Sequence, residues 1–188
     1  MTEPRWLDEE EMRAWRAFVT TSVRLFEQLD REMKAEHGLT HDDYAILVNL
    51  SESAGQQMRM TELASRVLES KSRLSHHVGR LESEGLVRRE SCPNDLRGLF
   101  AVLTPAGRRL LRQAAPGHAR SVRDHFIDHL DRSQLGSLAD ALEGVSDHLE
   151  RTNGRPHTPS GDCGGLAGPE SAARASRSRS RSDARPGR

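Results

Sequence analysis

The chain has 188 residues, enough for one ordinary domain with an appendage, and its formal net charge is zero. Hydrophobic residues make up 35% and mean hydropathy is −0.71. A chain this polar either carries an unstructured portion or completes its core with a second subunit. The longest apolar run, Leu99-Phe100-Ala101-Val102-Leu103, is strand-sized, which excludes a helix of the ~20 apolar residues needed to span a bilayer. Cys92 and Cys163 are distant and form no CxxC, so a disulfide scaffold and a four-cysteine zinc finger are excluded in favour of two free thiols. Met1-Thr2-Glu3-Pro4-Arg5 shows no basic start before an apolar stretch, so no secretory signal and a cytoplasmic location are expected.

In chain order, segment 8–37 places Trp15, Phe18, Val19, Ser22, Leu25, Phe26, Leu29 and Met33 at alternating three- and four-residue steps. That spacing predicts one face of a long helix, closed by Gly38. Thr40 can cap a second helix from about His41, with Tyr44, Ile46, Leu47 and Leu50 inward and its end at Ala54-Gly55-Gln56-Gln57. Thr61 starts a short helix with Leu63, Ala64 and Val67 inward. Ser70 starts another that runs to Glu84, with Gly85 as its stop. The period then switches. Val87–Ser91 and Leu99–Leu103 read as strands around a polar connection, Cys92 to Gly98, too long for a two-residue hairpin turn. Thr104-Pro105 is a strong helix start, and Leu110, Leu111, Ala114, Val122, Phe126 and Leu130 continue a helical face that Pro116-Gly117 should bend or break. Leu135, Leu138, Leu142, Val145 and Leu149 form a last amphipathic helix spaced for pairing with another helix.

Beyond about Thr152 the chain is rich in Gly, Pro, Ser and Arg, and Leu166 is its only large aliphatic residue. Disorder is expected there, because so little apolar surface cannot offset the entropy of ordering. Residues 151–188 hold eight Arg against three acidic residues, so the neutral total conceals a basic tail and an acidic body. The run Arg174 to Ser182 can hold nucleic acid by charge or simply remain solvated. Lys34 and Lys71 are the only lysines, a bias that genome composition would also produce.

Two short helices followed by a hairpin with a basic tip is the order of a winged helix-turn-helix. Within Ser70–Glu84, Leu74, Val78 and Leu81 form an inward stripe at i, i+4 and i+7. Turning 100° per residue places Ser72, Arg73, His76, Arg80 and Ser83 opposite, with Ser75 and His77 at the flanks. Hydroxyls, imidazoles and guanidiniums are the donors used on phosphates and guanine edges. Ser70 and the helix N-terminus add backbone N–H groups for a phosphate. Arg88 and Arg89 on the first strand, and Arg97 at the tip, extend this footprint. An Arg on a projecting hairpin suits a narrow minor groove. Asp95 is expected to brace the loop and aim Arg97, and Gly98 to let the chain turn.

These residues carry a resemblance. Leu63-Ala64, Lys71-Ser72-Arg73-Leu74-Ser75, Arg80-Leu81-Glu82, Gly85-Leu86-Val87-Arg88-Arg89, Asp95-Leu96-Arg97-Gly98 and Leu103-Thr104 resemble the MarR-family signature in order and spacing, over roughly residues 8–150. Leu96 departs from it, because many relatives carry a second Arg there. The resemblance implies a mostly α fold with a small β-hairpin wing and N- and C-terminal dimerisation helices. The division is 1–40 for the N-terminal dimerisation helix, 41–104 for the winged helix-turn-helix, 105–150 for the C-terminal dimerisation helices and 151–188 for the tail. It implies a homodimeric regulator, a repressor by default, on a pseudo-palindromic double-stranded operator with half-sites ~10 bp apart. The DNA-facing set is Thr61, Ser70, Lys71, Ser72, Arg73, Ser75, His76, His77, Arg80, Arg88, Asp95, Arg97 and Gly98.

The resemblance also implies a small, often aromatic and anionic effector between the dimerisation helices and the wing domain. Trp15, Phe18, His41 and Tyr44 could line its pocket, or simply pack. No cofactor, membrane partner or catalytic residue is expected: nucleophile elbow, phosphate loop, HExxH and paired-carboxylate motifs are all missing from the sequence. Three other readings stay open. His125 and His129, at i, i+4, could hold a metal ion. Cys92, near Arg88 and Arg89, could sense thiol oxidation. The winged helix could also serve protein contacts alone.

Overall fold

The computed structural model describes residues 4–92 and 95–153. Six α-helices and a small antiparallel sheet follow the predicted order. Helix α1 (Glu9–His37) opens on a capping box between Asp8 and Glu11 and closes at Gly38, whose φ of 71° is the left-handed conformation that glycine tolerates. Helix α2 (His41–Glu52) opens on a second capping box, Thr40 with Asp43. Half of α2 is buried, namely Asp43, Tyr44, Ile46, Leu47, Asn49 and Leu50, so it forms the centre of the core rather than one wall.

Around α2 pack helix α3 (Met60–Arg66), helix α4 (Lys71–Ser83) and a sheet of three strands, β1 (Gln57–Arg59), β2 (Val87–Cys92) and β3 (Asp95–Leu103). The sheet order is β1-β3-β2, with Met58 opposite Ala101 and Arg89 opposite Ala101 on the other side. Leu63, Leu74, Val78 and Leu81 are fully buried against Leu86, Val87 and Leu103. Helix α5 (Pro105–His125) lies across α1 and α2 through Leu111, Ala114 and His118, and meets Leu29 and Met33 of α1. Helix α6 (Arg132–Asn153) stands off: none of its described residues is buried.

Five expectations need correction. Strand β1 was not expected; three residues of mixed polarity carry no alternation, and only pairing with β3 makes them a strand. Helix α3 begins at Met60, with Thr61 already inside it. The connection between Val87 and Leu103 is not a long loop, because the strands continue to Cys92 and Asp95 with an irregularity between Ser91 and Cys92. Strand pairing there uses backbone groups and needs no apolar side chains, so the polar sequence concealed it. Gly98 consequently lies inside β3, not at a turn.

The last correction concerns α5, which runs through Pro116 without a break. Pro116 lacks the N–H for one helical hydrogen bond, but packing on both sides holds the helix. Gly117 lies against α1, where an added Cβ would come within 3.0 Å of Glu36 Oε2, and His118 is buried beside Tyr44. The helix stops at His125 instead, and Phe126 leaves helical geometry (φ −140°) before a short 3-10 turn at Ile127–His129. Phe126 and Leu130 therefore do not continue the face of α5. No described helix is long and apolar enough to cross a membrane. The Arg/Ser-rich tail beyond Asn153 and Cys163 lie outside the described residues.

Candidate nucleic-acid interface

Helix α4 is set by its buried stripe and its cap. Leu74, Val78 and Leu81 have no exposed surface, and Ser70 Oγ accepts from Arg73 N–H at 3.2 Å. Lys71, Ser72, Arg73, Ser75 and His76 are exposed on the opposite side. No acidic side chain occurs on α4 before Glu82, so this face carries hydroxyls, imidazoles and cations and no carboxylate of its own. Thr61, on α3, is exposed as well.

Two residues expected on that face turn back into the body. Arg80 reaches to Asp43, a fully buried carboxylate, with Thr40 Oγ1 at 3.5 Å and Glu84 Oε1 at 3.6 Å also in range. His77, only 15% exposed, lies between Asp43 (Nδ1–Oδ1 3.4 Å) and Glu69 (Nε2–Oε1 3.8 Å). A helical wheel fixes the direction of a Cβ, not where a long side chain ends, and the buried Asp43 carboxylate of α2 draws both inward. Arg73 is shared between roles: it is 63% exposed, yet donates to Asp42 Oδ2 at 2.8 Å and approaches Glu69 Oε1 at 3.3 Å.

The wing is clamped to α4 by Arg89. Its guanidinium donates to Glu82 Oε2 at 2.9 Å and to the Ser75 carbonyl at 2.7 Å, while its backbone N–H donates to Glu82 Oε1. Arg89 thus braces β2 against α4. Arg88 stays 53% exposed beside Glu90. Asp95, Arg97 and Gly98 fall within β3, and the expected aiming of Arg97 by Asp95 lies outside the described residues.

The expected effector residues separate into two groups. Trp15 (56% exposed) and Phe18 (50% exposed) meet each other with ring centroids 6.4 Å apart. His41 and Tyr44 instead gather with His118 of α5, at 5.5 and 4.5 Å between centroids, and Phe26 of α1 lies 5.2 Å from His41. Eleven residues along α1, about 16 Å of helix rise, separate Trp15 from Phe26. Burial pushes the His118 imidazole down to about 4, with His41 adding to the effect. Burial also lowers His41, against the pull of Asp42 and Asp30. Sequence reasoning missed His118 because Pro116-Gly117 was read as a bend or break of the helix; its position seven residues after Leu111, on the same stripe, was the available signal.

The His125/His129 pair does not share a helix face, since α5 ends between them. His125 Nε2 lies 2.7 Å from Glu32 Oε1, and His129 Nε2 2.9 Å from the Asp124 carbonyl. The Ser121 hydroxyl, with Gln28 and His125, holds the Glu32 carboxyl down to about 2.

A sequence profile described as the MarR family matches residues 37–98, which hold α2 to the start of β3. The chain is similar to Sco3205, a MarR family transcriptional regulator from Streptomyces coelicolor solved in complex with DNA. Identity is 44% and the TM-score 0.76, over 80% of this chain and 94% of that one. It is similar to AbsC, a MarR family transcriptional regulator from the same organism, with 49% identity, a TM-score of 0.74 and coverage of 78% and 99%. Among curated relatives, transcriptional regulator HosA of Escherichia coli O157:H7 is 32% identical over 97 residues, 51% of this chain and 69% of that protein.

Proposed function

The chain belongs to the MarR family of transcriptional regulators and binds DNA, and from that membership we propose a two-fold dimer that represses from a pseudo-palindromic operator. The observation that carries the reading is the exposed, carboxylate-free face of α4 beside a wing held to it by Arg89. Each α4 enters a major groove, where Lys71, Ser72, Arg73, Ser75 and His76 meet phosphates and base edges. Ser70 and Thr61 lie against the backbone, and Arg88 and Arg97 carry the wing toward the minor groove. His77 and Arg80 act behind this surface, by orienting α4.

Dimerisation is supported by apolar surface left partly exposed among the described residues. Trp15, Phe18, Val23 and Phe26 on α1, and Leu142, Val145 and Leu149 on α6, are each 41% or more exposed. Two long helices with such stripes suit the faces of a second copy. An effector would enter between α1, α2 and α5 at the Phe26, His41, Tyr44 and His118 cluster. It need discriminate two spacings of the α4 helices by only about 1–3 kcal/mol to release DNA.

A gel-shift titration against the promoter region flanking the protein's own gene, at low and high salt with excess competitor DNA, tests the reading. A discrete shift that survives competitor and weakens with salt is expected, and His76→Ala and Arg97→Ala should abolish it while dimerisation persists. Parent-like binding by both variants would show that the reading surface lies elsewhere.

A further inference from the structure

Behind the outward face of α4, three side chains from three segments converge. Asp42 at the start of α2, Glu69 before α4 and His77 within it each bring a ligand-type atom, all within 4.8 Å of one another. Glu69 is only 9% exposed, and among the described residues neither of its carboxylate oxygens accepts a hydrogen bond. His77 presents its Nδ1 edge to the fully buried Asp43 at 3.4 Å, which turns its Nε2 edge toward Glu69 at 3.8 Å. A carboxylate that accepts from one imidazole nitrogen and leaves the other for a cation is the usual support of a metal-bound histidine. Asp43 Oδ1 and His77 Nδ1 face each other at 3.4 Å without a hydrogen bond, so a small rotation of the ring has to make it. The cation now seated against Asp42 and Glu69 is the Arg73 guanidinium, 63% exposed and on a flexible stem.

We propose that Asp42, Glu69 and His77 form a site for a divalent transition-metal ion, and that the ion displaces Arg73 from its carboxylates and frees it for a DNA phosphate. One imidazole and two carboxylates suit zinc or its first-row neighbours. Metal–ligand bonds of about 2.0–2.2 Å require donor atoms roughly 3.3 Å apart, so side-chain rotation has to close the present spacing by about 1.5 Å at most. A doubly charged ion neutralises both carboxylates, where a guanidinium supplies one charge. Arg73 then turns outward beside Ser72 and His76, adding a cation to each half of the interface. Metal occupancy therefore strengthens operator binding. This second step rests on α4 being the DNA-reading helix; the first does not.

The test uses the full chain, stripped with chelator and titrated with Zn²⁺ by equilibrium dialysis, with Co²⁺ absorption reporting the ligand field. One ion per chain is expected. Glu69→Gln and the partly exposed Asp42→Asn should weaken binding at least tenfold, and thermal melts without metal establish that each variant folds. The double variant Cys92→Ser/Cys163→Ser and His125→Gln should bind as the parent does. Arg73→Ala, which removes the competing cation, should bind Zn²⁺ more tightly. No bound ion, or parent-like binding by both folded carboxylate variants, overturns the site. Unchanged Zn²⁺ affinity in Arg73→Ala overturns the displacement. In gel shifts, Zn²⁺ should raise the parent's operator affinity several-fold and leave Glu69→Gln unmoved. Metal binding without that rise overturns the transfer of Arg73 to DNA. Absence of any DNA binding overturns the reading of α4, while dialysis still decides the metal site.

Discussion

Asp43 is a fully buried carboxylate at the first turn of α2, held through its Oδ2, while Oδ1 faces His77 Nδ1 at 3.4 Å with no hydrogen-bond partner among the described residues. The Thr40 backbone N–H donates to Oδ2 at 2.8 Å, the Thr40 hydroxyl donates as well, and the Arg80 guanidinium supplies the charge. Breaking such a pair from one side strands an ion in low dielectric, at a cost of about 3–5 kcal/mol. Arg80→Ala should therefore lower the urea midpoint by the equivalent of about 3 kcal/mol. If its stability matches the parent while operator binding is lost, Arg80 belongs on the reading surface after all. Half of this arrangement was legible: Thr40-x-x-Asp43 is a capping-box spacing. Arg80 lies 40 residues from Thr40, and no local pattern announces that distance.

At the scale of elements, the sheet and α5 meet in a tight joint. Thr104 caps α5 by accepting from Gly107 N–H at 3.0 Å, and its hydroxyl also reaches the carbonyls of Gly85 and Leu86. Gly107 passes so close to β2 that an added Cβ would lie 2.2 Å from the Leu86 carbonyl oxygen and 2.8 Å from Leu103 Cδ1. Backbone oxygen cannot move aside as a flexible side chain can. Gly107→Ala should thus destabilise by at least about 2 kcal/mol, although alanine is the better helix former. Denaturant melts check this, and a neutral or stabilising result would mean that α5 can shift away from β2. Thr104-Pro105 announced the start of α5 in the sequence. The need for glycine two residues later came only from the sheet.

For the whole molecule, α1, α2 and α5 enclose His41 and His118 as neutral imidazoles. His118 is held at about 4, below its ordinary value of about 6.5, so between these values the unfolded chain binds a proton that the folded chain refuses. Its stabilising contribution is complete above about pH 6.5 and is lost as pH falls toward 4. From pH 7.5 to pH 5 the chain should lose roughly 2 kcal/mol through this group, with His41 adding in the same direction. Glu32, held at about 2, keeps its own contribution until pH falls below about 4.5, so it does not confound that interval. Urea melts at pH 7.5, 6 and 5 measure the slope, and His118→Gln should flatten it. An equal slope in the variant would place the titrating group elsewhere.

The sequence by itself determined the order of helices, the caps at Thr40, Ser70 and Thr104, the buried stripe of α4 and the family to which these belong. Those are local properties, encoded in spacing and in side chains that bond to their own backbone within three or four residues. Only the tertiary structure decided which polar residues of α4 face outward. Ser72, Ser75 and His76 stay in solvent, whereas Arg80 and His77 are drawn to carboxylates contributed by α2 and the segment before α4. It also decided that β1 is a strand, that the wing strands continue through polar residues and that α5 survives Pro116. Each of these depends on a partner distant in the chain, and periodicity records the direction of a side chain but not what waits there.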